Sequence, residues 1–283
     1  MRRSVLRAGL AALAVMLMTS AQAQLIIAHR GASHDAPENT LAAFREAWKQ
    51  GADGIEADFY LSSDGKIVCF HDKDTQRVAG VKCVVKDTPF DKLRLLDVGA
   101  WKHERFRGEH MPTFDEVAAL VPAGKKFFIE LKTGPEIVAP LVKAIEASKL
   151  NRKHTVIISF QADTIAECER RMPDIKTFWL TGYKQPEQGG PWKPSLGEVA
   201  ESLEKSNADG LGTQAETKVV DQAFLDALCD AGHCQFSVWT VDNPKVARFY
   251  MKLGTEAITT NRPGWLRKKL DAKPQAVPAA AGK

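Results

Sequence analysis

The chain has 283 residues, with 39 lysines and arginines against 35 aspartates and glutamates and a formal charge of +4 at pH 7. Arg2, Arg3 and Arg7 supply most of that excess, and without them the charge falls to +1, which leaves no basic surplus to mark a nucleic-acid partner. The five cysteines, Cys69, Cys83, Cys168, Cys229 and Cys234, include no C-x-x-C pair, so a structural zinc site is not expected.

The three N-terminal arginines precede an apolar run at 9–18 and the small-residue site Ala21-Gln22-Ala23, the pattern of a secretory signal peptide over 1–23. The run is well short of the ~20 residues that span a bilayer. Cleavage before Gln24 with no stable membrane insertion afterwards is therefore expected. The product would be exported, to the periplasm in a Gram-negative bacterium and to the medium otherwise. An oxidising compartment permits disulfides; Cys69 with Cys83 and Cys229 with Cys234 are the sequence-near candidates, with free buried thiols the equal alternative.

About 260 residues remain, enough for one large barrel or two small domains. In chain order, a strand-like run at 25–29 precedes a helical segment at 40–50, with Thr40 placed to cap it. A strand at 54–61 then turns at Asp64-Gly65 into a returning strand within 65–72. Some forty residues pass before the helical segment at 113–120, too many for an ordinary connection, and mark an insertion at about 73–112. Strands at 126–131, 155–160, 177–180, 210–213, 235–240 and 257–260 follow, each leading into a helix: 136–148, 162–171, 196–205, 222–231, 244–252 and 265–271. Eight strand–helix pairs over 24–272 predict a closed (β/α)₈ TIM barrel with a small insertion after its second strand. A doubly wound open sheet competes, but its Gly-rich fingerprint after the first strand is missing. The Pro- and Gly-rich stretch 184–194 follows the fifth barrel strand, as a surface loop or as a lid over the same face. The Ala- and Pro-rich tail 273–283 is expected to be disordered.

Polar residues inside these strands carry the chemical signal. In Gly54-Ile55-Glu56-Ala57-Asp58 strand alternation puts Glu56 and Asp58 on one face, roughly 6 to 7 Å apart. The same rule pairs Glu130 with Lys132 on the next barrel strand. Three carboxylates converging where water is scarce repel one another, a cost that a hard divalent cation with oxygen ligands removes. Solvated strand ends, or ordinary ion pairs with Arg30 and Lys132, are the alternative. His29 ends the first strand and His71 the returning strand, placed to share acid and base duties near neutral pH.

His29-Arg30-Gly31, Pro37-Glu38-Asn39-Thr40, Glu56-x-Asp58, His71-Asp72 and Glu130-x-Lys132, in that order and spacing, resemble the glycerophosphodiester phosphodiesterase family. Leu96-Asp97-x-Gly99-x-Trp101, Met111-Pro112-Thr113-Phe114-x-Glu116, Val238-Trp239-Thr240 and Asn261-Arg262-Pro263 continue the likeness over essentially the whole mature chain. The resemblance implies hydrolysis of a small-molecule glycerophosphodiester, such as glycerophosphocholine or glycerophosphoethanolamine, to glycerol 3-phosphate and an alcohol. It implies one Ca²⁺ or Mg²⁺ held by Glu56, Asp58 and Glu130, acid and base roles for His29 and His71, and phosphate contacts from Arg30 and Lys132. Trp239, by position a core residue of its strand, becomes by this likeness a wall of the substrate pocket. Asn261 stands where family members often carry Asp. Two other classes compete: an amidohydrolase, which usually shows H-x-H on the first strand where this chain has Gly31, and an exported solute-binding protein that keeps a phosphate pocket without turnover.

Overall fold

The computed structural model describes residues 24–272, so the expected signal peptide at 1–23 and tail at 273–283 lie outside the described residues. The elements run β1 (Leu25–Ala28), α1 (Leu41–Lys49), β2 (Gly54–Leu61), β3 (Ile67–Cys69), α2 (Gln76–Ala79), α3 (Phe90–Arg94), α4 (Phe114–Ala118), β4 (Lys126–Leu131), α5 (Val138–Ala147), β5 (Thr155–Ser159) and α6 (Ala162–Arg171). They continue through β6 (Lys176–Thr181), α7 (Leu196–Ser206), β7 (Gly210–Gln214), α8 (Gln222–Asp230), β8 (Phe236–Trp239), α9 (Pro244–Lys252), β9 (Ala257–Thr260) and α10 (Pro263–Asp271).

All strands but β3 pair in parallel, and β1 joins both β9 and β2, which closes eight of them into the expected barrel. Strands such as β4, KFFIEL, are apolar on both faces because both are covered: alternate residues face the helical shell or the barrel interior. Ile55, Ala57, Phe59 and Phe127 pack outward with the helices, whereas Ile27, Phe128, Ile158, Phe178 and Leu180 fill the interior. In β7 the alternate positions are Gly210 and Gly212, and a Cβ on either would strike Phe178 or Leu180, so the large side chains of β6 take that space.

The first connection is tight. Thr40 caps α1 by accepting from the Ala43 N–H at 3.2 Å, as its position in the sequence predicts. Helix α1 buries Ala43, Phe44 and Ala47 on one face; full burial of Phe44 contributes about 2 to 3 kcal/mol. Gly31 has φ +80°, and a Cβ there would lie 2.6 Å from the Ala43 carbonyl carbon, so only glycine lets the chain leave β1 across the start of α1.

The two expected departures from a plain barrel take different forms. The returning strand is real but short: β3 pairs antiparallel with the end of β2, and the chain beyond it forms a subdomain with its own core of Val68, Phe70, Val78, Val85, Leu93 and Met111. Arg94 bonds both oxygens of Glu116 at 2.6 and 2.7 Å, tying that subdomain to α4. Lys102 and Arg105 donate to the carbonyls of Ser33 and Asp35, tying it to the β1–α1 loop. The stretch 184–194 is pinched by reciprocal backbone bonds between Lys184 and Lys193, both 2.8 Å, and packs Trp192 on the outer core. Of the candidate disulfides, Cys229–Cys234 is formed; Cys69 and Cys83 are both free, and Cys69 instead directs its thiol at Asn39.

Candidate active site

A cavity of about 130 Å³ opens at the C-terminal ends of the barrel strands, and it gathers every site residue expected from the sequence except Asp58, which lies just beneath it. His29 and Arg30 enter from just past β1, Glu56 from β2, His71 from beyond β3, Glu130 from β4, Lys132 from just past it, and Trp239 from β8. Phe128, Ile158 and Leu180 form an apolar floor, so charges in the cavity face little competing water. No residue of 184–194 lines it, which places that loop with the surface reading and against a lid in this conformation. A larger cleft of about 680 Å³ sits at the opposite end of the barrel, beside the starts of β4 and β5, but brings together no comparable cluster of ionisable groups.

Register places the carboxylates. β2 and β4 pair with Asp58 opposite Glu130, and Glu56 follows Asp58 two residues back on the same face. One oxygen from each of Glu56, Asp58 and Glu130 lies within 4.8 Å of the others. The three residues are only 2%, 0% and 8% exposed, which rules out solvated strand ends. Burial, then Asp58 and Glu130 nearby, push the Glu56 carboxyl well above its usual range. Burial and Asp58 raise Glu130 to about 7. Burial alone would raise Asp58 too, but Lys132 and Arg30 overcome it and hold that carboxyl at about 2.

The charges are partly met by the expected cations. Lys132 donates to Glu130 Oε1 at 2.5 Å and lies 3.4 Å from Asp58 Oδ1; Arg30 Nε is 3.2 Å from Asp58 Oδ2, and the Arg30 N–H donates to Glu56 Oε2 at 2.9 Å. The backbone of Arg30 is in the left-handed region, φ 54°, which turns its N–H into the cavity while its guanidinium also reaches Glu38. Asn39, likewise left-handed at φ 56°, donates to Asp58 Oδ2 at 2.8 Å and so fixes the carboxylate plane. Two buried oxygens still lack a hydrogen bond, Glu56 Oε1 and Asp58 Oδ1. Glu56 Oε1, and Asp58 Oδ1 with the Lys132 ammonium 3.4 Å away, are hard oxygen donors that fit a divalent cation of the Ca²⁺ or Mg²⁺ kind.

Each histidine is tied back by Nδ1. His29 Nδ1 lies 2.7 Å from Oδ1 of Asn261, whose Nδ2 donates to Asp242 at 2.6 Å; with that amide orientation fixed, the imidazole must donate and its Nε2 keeps the lone pair. His29 Nε2 stands 4.0 Å from Glu56. His71 Nδ1 donates to Asp72 Oδ1 at 2.6 Å, which again leaves Nε2 free. Burial, with Arg30 adding to it, lowers His29 to about 4, and burial lowers His71 as well.

The whole chain, rather than the site alone, is similar to known proteins. The sequence fits the glycerophosphoryl diester phosphodiesterase family over residues 29–265. The chain belongs to that family. It is 33% identical over 246 residues to a glycerophosphodiester phosphodiesterase of Caldanaerobacter subterraneus subsp. tengcongensis, a match covering 84% of this chain and 94% of the relative. A glycerophosphodiester phosphodiesterase of Bacillus subtilis is 27% identical over 86% of this chain and 85% of its own. Among solved structures, the Oleispira antarctica phosphodiesterase in complex with the product sn-glycerol-3-phosphate superposes with a TM-score of 0.76 at 25% identity, covering 88% of this chain and 97% of the other.

Two residues at the site were not expected from the sequence. Phe160 lines the cavity, packs edge-on to Trp239 with centroids 5.4 Å apart, and lies under the Lys132 ammonium. Its parity with Val156 and Ile158 on β5 was the available signal. Asp242 fixes Asn261 from the loop after β8, and no spacing in the sequence pointed to it.

Proposed function

We propose that the protein is an exported, metal-dependent glycerophosphodiester phosphodiesterase that uses two histidines for acid–base catalysis and releases glycerol 3-phosphate and an alcohol. Family membership supports the reaction class. The observation that carries the reading is the buried Glu56, Asp58 and Glu130 cluster, with two oxygens that accept no hydrogen bond, flanked by Arg30, Lys132 and two imidazoles with free Nε2 atoms. Glu56, Asp58 and Glu130 would hold the ion, which, when bound, supplies a positive charge that polarises a phosphoryl oxygen.

Arg30 and Lys132 direct N–H donors at the phosphate, where they offset charge growing on its oxygens in the transition state. One imidazole accepts a proton at Nε2 from the attacking hydroxyl, either the glycerol's own or water's. The other delivers a proton from Nε2 to the departing alkoxide. Burial keeps both rings neutral in the free protein, and an arriving phosphodiester anion shifts them back toward protonation. Trp239 and Phe160 give the glycerol an aromatic wall, and the apolar floor excludes water. Export is supported by the leader pattern at 1–23 and by the Cys229–Cys234 bond, which suits an oxidising compartment.

The test follows glycerol 3-phosphate release from glycerophosphocholine and glycerophosphoethanolamine in Ca²⁺ or Mg²⁺, with chelation and Glu56→Ala as controls. Release that needs the ion and is lost in the variant is expected. No release from either substrate with either ion overturns the proposal.

A further inference from the structure

The inserted subdomain reaches the cavity residues through one side chain that does not enter the cavity. Arg77, on α2, donates from Nε to Asp72 Oδ2 at 2.6 Å and from its two terminal nitrogens to Glu38 at 2.6 and 3.1 Å. Each acceptor has a second task. Asp72 receives the Nδ1–H of His71 at 2.6 Å, and Glu38 receives Arg30 at 3.1 Å. The side chains form a hydrogen-bonded run, His71, Asp72, Arg77, Glu38, Arg30, and both of its ends line the cavity.

We propose that Arg77 is a positioning residue for the reaction: by gripping Asp72 and Glu38 together it fixes the ring of His71 and the guanidinium of Arg30 relative to each other. Asp72 and Glu38 both sit on connections rather than strands, so neither is held by the barrel ladder. A planar guanidinium can serve two carboxylates at set angles, which a lysine ammonium cannot. Without that fork Asp72 is free to rotate, His71 loses its fixed acceptor, and both imidazole tautomers become accessible. Arg77 is 44% exposed, so the attraction itself is screened and the contribution is geometric more than stabilising.

The kinetic arm of the test rests on the phosphodiesterase reading; the spectroscopic arm does not. Arg77→Met is expected to lower kcat by about tenfold or more while the thermal midpoint moves only slightly. Combined with Asp72→Asn, it should be no more than about twofold worse than the poorer single variant, because the two act through one path. Side-chain ¹⁵N–¹H correlation spectra, with His71 assigned by His71→Gln, should show a single Nδ1–H tautomer in the native protein and an averaged one in Arg77→Met. Arg77→Lys, which keeps charge and approximate length, should leave the tautomer averaged and recover little of the rate; it also serves if Arg77→Met does not fold. Unchanged His71 nitrogen shifts, multiplying losses in the double variant, or kcat within about twofold of native would overturn the proposal. If the native protein hydrolyses no glycerophosphodiester, the functional reading fails while the His71 spectra still decide the role of Arg77.

Discussion

Asn261 accepts the Nδ1–H of His29 at 2.7 Å with an amide whose other end is locked to Asp242. Asn261 is a neutral acceptor, so this brace sets the tautomer of His29 without adding a charge in direct contact with it. Asn261→Leu, which removes the acceptor, should lower kcat by about tenfold to a hundredfold. Asp242→Asn should cost less, since its amide can still accept from Asn261 but no longer forbids the flipped orientation. Steady-state kinetics on both variants check the order, and an unchanged rate in Asp242→Asn would show that Asn261 keeps its orientation without Asp242.

Metal removal should leave a pH-sensitive protein. In the metal-free state Glu130 titrates at about 7 and Glu56 well above its usual range, whereas an unfolded chain ionises both near 4.5. A raised folded-state pKa gives stability that is complete below the unfolded value and lost as pH rises through the folded one. The thermal midpoint in chelator should therefore fall between about pH 5 and pH 8, and Glu130→Gln should flatten that fall. Asp58 has the opposite sign, about 2 against an ordinary 3.8, and matters only in acid. Added Ca²⁺ or Mg²⁺ should raise the midpoint more at the alkaline end, where its ligands are ionised. Calorimetry across pH, with and without the ion, reads both effects.

Lys132 occupies the space beside two of the three carboxylates, bonded to Glu130 and close to Asp58. Lys132→Met should thus bind a divalent ion more tightly, by about tenfold, while losing turnover, since the same ammonium is the one proposed to meet the phosphate. Isothermal titration and kinetics on one preparation separate the two. Weaker ion binding in this variant would mean that Lys132 organises the carboxylates rather than competing for them.

Gly31→Ala places a Cβ against the backbone of α1 at a positive φ. A loss of about 2 to 4 kcal/mol is expected, from strain plus displacement of the helix start. Chemical denaturation measures it, and a loss under about 0.5 kcal/mol would show that α1 can shift without cost.

Much of this architecture is legible from periodicity. The barrel strands alternate between shell and interior, so Glu56, Asp58, Glu130 and Lys132 announce themselves as polar residues on an interior face. Contacts made between connections are not legible in that way. Arg77 meets Glu38 across 39 positions and Asn261 meets His29 across 232, and loop side chains have no repeat to betray their direction. Of the two candidate cysteine pairs only Cys229–Cys234 forms: Cys69 and Cys83 are near in sequence, but β3 turns the thiol of Cys69 inward to Asn39. The expected helix at 113–120 contracts to Phe114–Ala118, held by the capping box of Thr113 and Glu116.

The pairing of Asp58 opposite Glu130 has a kinetic use. A slip of β2 by one residue against β4 would turn Glu56 and Asp58 toward the helices and scatter the three carboxylates. Cation uptake during refolding would therefore timestamp the correct docking of these two strands, and a fluorescent lanthanide would report that event without any substrate.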